Sequence, residues 1–582
     1  VKMECIQRGI MKYRELYKKV KKTMVYTKFY GIKNMIHRNF DKYQVNEQWY
    51  STWFEQNKVT QEEIKIQKQQ RFVYEPVISI LVPVYNTPQK YLQQMIESVC
   101  EQTYDKWELC IANANPENLE VQIILDEYKK KDSRIKVVDV PENLGIAQNT
   151  NKAYEISTGQ YIALLDHDDM LATNALYEVV RIINEKNKSE VIYTDEDKIS
   201  ENSNEHFQPN FKPEFNLDLL RANNYICHLF VFKRTLIKES EPFREEYNGA
   251  QDYDLILRCT EQAENIAHIS KILYHWRMHR QSTADNPASK LYAYDAGKRA
   301  LRAHLKRCGE VGRIEKLDDL GFYKIIYESK DNKDLVTTVI KSDGEINYLK
   351  KCINSLKEMD YENLQIIVVD MGNQSGKVEK YYQFLEGQGI QVVKGQKDSF
   401  PATINIIKKQ IKGEYILLLS QYIEFQGKKD LEQLLANCQR EKIGVVGARS
   451  YYRNHTIRHA GIGIGGEKFS YRLFEGLPNM CKGYMHREAL QQELSAVSME
   501  CMMLRKSLLE QIDGFDDKLG DEFAAIDFCL RVKEKQYRVL YVPTVVMRYN
   551  ASYDKERIEA KNITIMMQRW KNVYENQYGY SS

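Results

Sequence analysis

The chain of 582 residues is 43% hydrophobic and 28% charged, with a formal net charge of only +3. Such a length exceeds what one hydrophobic core serves and predicts roughly two to four globular domains, while the composition excludes an extensively disordered chain. No apolar run reaches the ~20 residues of a membrane-spanning helix, and the eleven cysteines include no CxxC pair. We therefore expect a cytoplasmic protein with reduced cysteines, without a disulfide framework or a cysteine zinc site.

Positive charge is concentrated near the start of the chain. Residues 1–45 hold twelve Lys and Arg against three acidic residues, and apolar or aromatic side chains recur every three or four residues from Ile6 to Met24. This pattern predicts a basic amphipathic helix within a helical N-terminal segment, residues 1–75. The helix could bind an anionic membrane surface or a partner enzyme, or it could pack as a solvated helix on its own domain.

From residue 76 onward, strand and helix patterns alternate. Short apolar runs typical of buried strands alternate with segments of helical spacing; the strands fall at 77–86, 107–114, 134–140, 161–165 and 191–197, and the helices near 91–102, 146–157 and 174–185. Alternation of this kind predicts an α/β fold with a parallel sheet covered by helices on both faces. Residues 205–250 are less regular, and residues 249–259 are expected to be a loop entering a helix.

The strand pattern at Tyr161–Leu165 ends abruptly in Asp166, His167, Asp168 and Asp169. Open α/β sheets bind ligands at the carboxyl ends of their strands. Clustered carboxylates repel one another unless a cation joins them, and oxygen ligands suit Mg²⁺ or Mn²⁺, which in turn hold phosphates. The alternative is a solvated acidic turn that caps the next helix.

Several motifs occur in a specific order over about 200 residues. They are PVISILVPVYN, an NLG turn followed by Asn151, YIALLDHDD, GAQDYDL and YHWRMH. Each motif alone is weak, but the ordered set resembles the family-2 glycosyltransferases, which are inverting, nucleotide-sugar-dependent enzymes of the GT-A fold. The resemblance implies an α/β fold with two GT-A (Rossmann-like, nucleotide-diphospho-sugar transferase) domains in tandem after the N-terminal helical segment.

The same resemblance implies roles for individual residues. Asp252 matches the position of the catalytic base, although a helix cap is the alternative for this residue. Asp166 and Asp168 match the family's metal-binding DxD pattern, with Mn²⁺ or Mg²⁺ as the ion. His275 is the predicted third metal ligand, and His279 is its rival; either could instead be a structural histidine.

Further residues are expected to bind the nucleotide sugar. Asn113 stands where many family members have an Asp that hydrogen-bonds the base; an amide can still accept from a ring N–H, but it carries no charge. The loop after the first strand is where the family packs the base. The full predicted set is Pro83, Tyr85, Asn86, Asn113, Asn151, Asp166 and His167.

The second half of the chain is an imperfect copy of the first. A shift of 257 positions places Tyr91 on Tyr348, and a shift of 254 places the strand 161–165 on 415–419. The copy replaces the acidic cluster by Ser420, Gln421 and Tyr422, and it has Ala525 opposite Asp252. We therefore predict a catalytic domain at 76–325 and a second, catalytically inactive domain with a C-terminal helix at 326–582, although the copy could be active through other groups.

The resemblance also implies a function. The expected reaction is metal-assisted transfer, with inversion, of a sugar from a UDP-sugar or dTDP-rhamnose donor to a growing bacterial cell-surface or capsular glycan. The acceptor is expected to be lipid-linked and the enzyme cytoplasmic, or peripheral at the inner face of the membrane; no nucleic-acid partner is expected. The alternatives are a protein acceptor, such as an adhesin or flagellin, and a non-catalytic glycan-binding scaffold.

Overall fold

The structure, a computed structural model, describes residues 48–185, 188–203, 205–238, 242–279, 291–330, 334–372, 375–396, 399–479, 481–551 and 560–578. The predicted basic helix of residues 1–45 lies outside these ranges. The chain divides into two compact units. The first unit extends to Glu310 and includes Ile314–Tyr323, and the second comprises Val311–Arg313 and the chain from Lys324 onward.

A single large sheet forms the centre of the first unit. Its strands are β1 (Ile78–Val84), β2 (Trp107–Asn113), β3 (Ile135–Asp139), β4 (Tyr161–Leu164), β5 (Met170–Leu171), β6 (Val191–Ile199), β7 (His206–Asn210), β8 (Phe230–Lys233) and β9 (Ile266–Arg277). They lie in the order β3-β2-β1-β4-β8-β6-β9-β5, and β7 pairs with β6. Every residue of β2 is buried, as expected for a strand covered on both faces.

The sheet is mixed, whereas the alternation of elements predicts a parallel one. The pairs β1–β2, β1–β4 and β2–β3 are parallel, as predicted. β8, however, runs antiparallel to both β4 and β6, and β5 runs antiparallel to β9. The difference arises because β8 comes from the irregular stretch 205–250, where the sequence shows no strand-helix alternation from which a crossover could be inferred.

Helices accompany this sheet along the described chain of the first unit. They are α1 (Gln48–Asn57), α2 (Gln61–Gln69), α3 (Gln89–Cys100), α4 (Leu119–Lys131), α5 (Ile146–Glu155), α6 (Ala175–Glu185), α7 (Leu217–Ala222), α8 (Gln251–Gln262) and α9 (Leu291–Arg307). Local chemistry determines several of their ends. Thr60 and Glu63 form a reciprocal capping box at the start of α2, and the Asn118 side chain accepts two backbone N–H groups at the start of α4.

The second unit repeats this architecture. After β10 (Gly312–Lys316) and β11 (Tyr323–Tyr327) come the strands β12 (Val336–Ser342), β13 (Leu364–Asp370), β14 (Gln391–Lys394), β15 (Tyr415–Ser420), β16 (Ile423–Phe425), β17 (Ile443–Tyr452), β18 (Ile457–His459), β19 (Ile462–Ile464), β20 (Ser470–Arg472), β21 (Gln492–Glu493), β22 (Cys501–Arg505) and β23 (Arg538–Tyr549). The main order is β14-β13-β12-β15-β22-β17-β23-β16, which corresponds strand for strand to the first sheet. β19 and β20 form a separate two-stranded sheet.

The helices of the described second unit follow the same plan. They are α10 (Ile346–Lys357), α11 (Gly376–Gly387), α12 (Phe400–Ile407), α13 (Asp430–Cys438), α14 (Lys506–Gln511), α15 (Asp521–Glu534), α16 (Ala560–Arg569) and α17 (Lys571–Tyr578). The predicted C-terminal helix is therefore a pair of short helices. No helix in the described part of the chain is long and apolar enough to cross a bilayer.

One buried hydrogen-bond network recurs in both units. In the first, the Ser79 hydroxyl donates to the Glu108 carboxylate (2.6 Å) and accepts from the Gly159 N–H (2.8 Å). In the second, the Thr337 hydroxyl donates to the Gln365 side chain (2.8 Å) and accepts from the Gly413 N–H (2.9 Å). Each network joins three adjacent strands near the amino ends of β1 and β12. The two units therefore share side-chain hydrogen bonds as well as strand order.

Candidate active site

The acidic cluster lies at the edge of the first sheet where β1, β2 and β4 end and β8 begins. β4 and β8 are antiparallel, with Ala163 opposite Val231. Continuing that register by three residues places Asp166 opposite His228. The carboxylate oxygens of Asp166 and Asp169 and a ring nitrogen of His228 all lie within 4.8 Å of one another. Strand pairing therefore brings a histidine from the irregular stretch to the predicted acidic cluster.

Asp169 is the structural member of this cluster. It is fully buried and accepts hydrogen bonds from the Tyr274 hydroxyl (2.5 Å) and the Arg277 backbone N–H (2.8 Å). Burial raises the pKa of Asp169 well above its ordinary value, and the charges of Asp168 and Asp166 raise it further. These bonds attach the acidic turn to β9.

Asp168 is paired with a histidine, and that histidine is the rival candidate. His279 Nε2 lies 2.6 Å from an Asp168 carboxylate oxygen. Burial opposes ionisation of Asp168, but the hydrogen bond from His279 and the charges of His167 and His279 lower its pKa below the ordinary value. The predicted third ligand, His275, instead lies 2.6 Å from Asp197. His279 is thus the histidine that lies beside Asp168, and the choice of the third metal ligand stays a prediction.

The predicted base, Asp252, lies in the first turn of α8, close to the same cluster. The Asn224 side-chain amide donates to one of its carboxylate oxygens (2.9 Å). Burial raises the pKa of Asp252; the charge of His228 opposes this effect, and the charge of Asp166 adds to it. Asp252, Asp166 and His228 therefore interact electrostatically although they come from three separate parts of the chain.

The loop after β1 approaches the acidic turn, as the predicted nucleotide site requires. The Thr87 hydroxyl and His167 Nδ1 are 3.0 Å apart. In the same loop Tyr85 is exposed and Pro83 is half-buried. Asn86 has a positive φ of 51° and its side chain accepts from Asn115 (2.7 Å). The loop therefore presents an exposed aromatic ring beside the acidic turn.

Asn113 lies at the end of β2 and is fully buried. Its amide group donates to Gln122 (3.0 Å) and Asp139 (3.2 Å), and its side-chain oxygen lies 3.3 Å from the Asn115 N–H, which donates to it. The position at the strand end matches the prediction. Its polar atoms are already engaged within the protein, so a contact from Asn113 to the base requires sharing or exchange of these bonds.

Asn151 does not face the predicted nucleotide loop. Its amide donates to the Phe243 carbonyl (2.8 Å), and its side-chain oxygen accepts from the Phe243 N–H (3.0 Å). Both polar ends of the side chain thus bind one backbone unit, which fastens the chain before α8 to α5. These bonds give Asn151 a role in holding this loop, and its predicted contact with the donor stays a prediction.

His228 and Asn224 belong to the site but are not predicted from the sequence. The buried Lys212 holds their loop by donating to the Ile226 carbonyl (2.6 Å), to the His228 carbonyl and to Glu196 (3.2 Å). The one available signal is that His228 directly precedes the apolar run 229–232. That signal becomes useful only when β8 is known to be antiparallel to β4.

The equivalent edge of the second unit carries different chemistry. Continuing the register of β15 and β22 places Ser420 opposite Glu500, the positions of Asp166 and His228. The buried Gln421 accepts from the Ser342 hydroxyl (2.8 Å) and donates to Asp343, and the Tyr422 hydroxyl also donates to Asp343 (2.5 Å). The end of β15 therefore carries neutral side chains where β4 is followed by carboxylates, and the acidic residues beside it, Asp343 and Glu500, come from other segments.

Comparison with known proteins identifies the family. The model of glycosyl transferase family 2 matches residues 79–240 and again residues 337–513, which together make up more than half of the chain. The chain belongs to glycosyl transferase family 2. The two matches coincide with the two sheets, so the fold is two GT-A-type α/β units in tandem with helices at the N-terminal side, as the sequence predicts.

Two relatives align with most of the chain. An uncharacterised protein, y4gI, of Sinorhizobium fredii is 35% identical over 85% of this chain and 56% of its own length. The O-antigen biosynthesis protein RfbC of Myxococcus xanthus is 28% identical over 80% of this chain and 36% of its own length. The chain thus spans about half or less of the length of these relatives.

Among solved structures, residues 1–349 of S. aureus TarS in complex with UDP-GlcNAc are 20% identical to the aligned part. The alignment covers 39% of this chain and 66% of that one, with a TM-score of 0.33. This score is too low to establish a common fold by itself. The fold therefore rests on the sheet order and the family match.

Proposed function

We propose that the first unit transfers a sugar from a nucleotide-diphosphate donor to a glycan acceptor with inversion at the anomeric carbon. The supporting observation is the convergence of Asp252 on the acidic turn after β4, beside Asp166 and His228. Family membership supports sugar transfer, and this convergence supplies a base and a candidate diphosphate-binding edge in one place. The corresponding edge of the second unit lacks both acidic groups.

Asp252 acts as the general base in this proposal. Inverting transfer needs one group that takes the proton from the acceptor hydroxyl as it attacks the anomeric carbon. A raised pKa makes the Asp252 carboxylate a stronger base. Asn224 donates to one of the two carboxylate oxygens and so helps to fix the orientation of the carboxylate. Asn224 is therefore a positioning residue.

A divalent cation fits the residues of the acidic turn. Three carboxylates lie close enough for the charges of Asp168 and Asp166 to raise the pKa of Asp169, so a positive charge there would relieve their repulsion. The donors that would hold Mn²⁺ or Mg²⁺ are Asp168 beside His279, and Asp166 beside His228. When bound, the ion would neutralise the charge of the departing diphosphate.

The proposed donor is a UDP-sugar or dTDP-rhamnose, and the proposed acceptor is a growing bacterial cell-surface glycan carried on a lipid. The similarity to a protein named for O-antigen biosynthesis supports a surface glycan. We place this reaction at the cytoplasmic face of the membrane, where the basic segment 1–45 would attract anionic lipid. The second unit has a non-catalytic role in this proposal.

A donor panel tests the proposal. The full chain is incubated with Mn²⁺ and a series of UDP-, dTDP- and GDP-sugars, and release of nucleoside diphosphate is measured with and without candidate glycan acceptors. We expect release above background with a UDP-sugar or dTDP-rhamnose. Absence of release across the panel, together with absence of donor binding by calorimetry, would contradict sugar transfer and favour the glycan-binding scaffold.

A further inference from the structure

A second cluster of metal-ligating side chains lies in the first unit and shares no residue with the Asp168–His279 pair. Asp197 on β6 lies between two histidines from neighbouring strands. His206 Nδ1 on β7 is 2.8 Å from one carboxylate oxygen, and His275 Nδ1 on β9 is 2.6 Å from the other. The three ligand atoms all lie within 4.8 Å of one another. The Tyr50 hydroxyl on α1 donates to the same carboxylate (2.6 Å).

The charge of Asp197 requires compensation. Its side chain is completely buried, and a buried carboxylate is costly unless a cation accompanies it. Within the described ranges, neither Lys nor Arg forms an ion pair with Asp197; its partners are Tyr50, His206 and His275. Among the described residues, the side chains that contact this buried carboxylate therefore carry no permanent positive charge.

We propose that Asp197, His206 and His275 bind a structural Zn²⁺ ion, with the Tyr50 hydroxyl completing the coordination. Two imidazole nitrogens and a carboxylate oxygen are ordinary zinc ligands, and structural zinc sites are four-coordinate and closed to solvent. The enclosing rings fit a closed site: Phe54 stacks on His206 with ring centroids 3.8 Å apart, and it lies edge-on to His275 at 5.8 Å.

The proposed ion would fasten α1 to the sheet. Its ligands come from α1, from the adjacent strands β6 and β7, and from β9, and long segments of chain separate α1 and β9 from the β6–β7 pair. The paired strand ends in the second sheet, residues 449–452 and 546–549, contain neither His nor Asp. The fold therefore forms without this cluster in the second unit. Metal binding would explain why the first unit has it. Zinc binding is independent of the proposed sugar transfer.

Metal analysis of the purified full chain tests this inference. Protein prepared without added metal is analysed by inductively coupled plasma mass spectrometry, and we expect about one zinc per chain. After chelation, loading with Co²⁺ should give the visible absorption of a tetrahedral site. His206→Gln and His275→Gln should lose both signals. Asp168→Asn, in the predicted catalytic site, and His455→Gln, at an exposed position of the second unit, should keep them.

The outcomes separate zinc binding from a purely hydrogen-bonded cluster. Folded wild-type protein with neither stoichiometric zinc nor a Co²⁺ spectrum would overturn the inference, and so would zinc retained in a folded His206→Gln, His275→Gln double variant. If these variants fail to fold, the melting temperature of the wild-type protein tests zinc binding instead. Chelation should lower this temperature, and added Zn²⁺ should restore it. A melting temperature unaffected by chelation would count against the ion.

Discussion

At the scale of single residues, two histidines from one strand end have different surroundings. His279 lies against Asp168, whereas His275 lies against Asp197. We predict that His279→Asn raises the Mn²⁺ concentration needed for half-maximal turnover by about 10–100-fold, because an imidazole next to the DxD carboxylates is lost. The measurement is nucleoside diphosphate release as a function of Mn²⁺ concentration.

His275→Asn is the matched comparison for this metal titration. It should leave the Mn²⁺ dependence close to that of the wild type while lowering the melting temperature, because His275 contacts Asp197 and α1. The opposite result, a Mn²⁺ requirement that rises in His275→Asn and stays unchanged in His279→Asn, would contradict this assignment. It would favour His275, the ligand chosen from the sequence, over His279.

Asn224 provides a second prediction at this scale. Its hydrogen bond favours the ionised form of Asp252, so Asn224→Ala should raise the already raised pKa of that carboxyl further. Since the base must be deprotonated, activity is lost as the pH falls through this pKa. The acid limb of kcat/KM should therefore move to higher pH by about half a unit to one unit. An acid limb that stays in place in Asn224→Ala would argue against Asp252 as the titrating base.

The sequence predicts the chemical types at the site better than their partners. The sequence predicts Asp166 and Asp168 because they form an acidic run after a buried strand. It predicts Asp252 because this acid stands at the start of a helix pattern. His228 and Asn224 are not, since their proximity depends on antiparallel pairing of β8 with β4. Asn151 resembles a ligand by motif alone, and its bonds to Phe243 appear only in three dimensions.

At the scale of elements, the network around Glu108 joins the first strands of the sheet. Glu108 accepts from Ser79, Lys136 and the N–H groups of Thr158 and Gly159. Burial opposes its ionisation, but the bonds from Lys136, Ser79 and Thr158 lower its pKa to about 2. The folded-state pKa lies below the unfolded one, so this stabilisation is present above about pH 4.5 and is lost as the pH falls toward 2.

Glu108→Gln removes this charge and imitates the second unit, which has Gln365 at the equivalent position. We predict that the variant loses about 1–3 kcal/mol of stability at pH 7, because Lys136 loses its ion-pair partner. The loss should shrink as the pH falls below about 4.5. Hydrogen exchange in β1 and β2 measures the effect in the first unit, and β12 and β13 serve as the internal control. Equal losses at pH 7 and pH 3 would contradict the charge argument.

The strand assignments follow from the sequence wherever a strand is a short apolar run bounded by a helix. β1 to β4 and β6 fall within a few residues of their predicted ranges. β8, β9 and the small strands β5 and β7 are not predicted, because they lie in irregular or very short segments with no alternation of their own. Because these strands supply the antiparallel pairs, the sequence does not predict that the sheet is mixed.

At the scale of the whole chain, two sheets of the same strand order carry different side chains at the same edge. If only the first is catalytic, removing a carboxylate from the second should not affect turnover. Asp370, which accepts from the Tyr382 hydroxyl (3.2 Å), is the acidic residue at the end of β13. We predict that Asp370→Ala stays within about twofold of the wild-type rate, since distant sites act independently. A loss comparable to that of Asp168→Asn would instead make the second unit an active one.

The repeat itself is predictable from the sequence because both copies keep their apolar core positions while their strand ends diverge. Asp166 is replaced by Ser420 and Asp252 by Ala525, and the second sheet folds without either acid. The acidic groups of the first unit are therefore not needed for the fold, which supports a chemical role for them.

The most direct test of the account is the turnover of Asp252→Asn with the donor that the panel identifies. We predict that kcat falls by about 10²–10⁴-fold, because the acceptor hydroxyl loses its base, while the donor dissociation constant measured by calorimetry stays near the wild-type value. Unchanged turnover in a variant with wild-type donor affinity would contradict the central claim that Asp252, beside the acidic turn of the first unit, is the base of a sugar transfer.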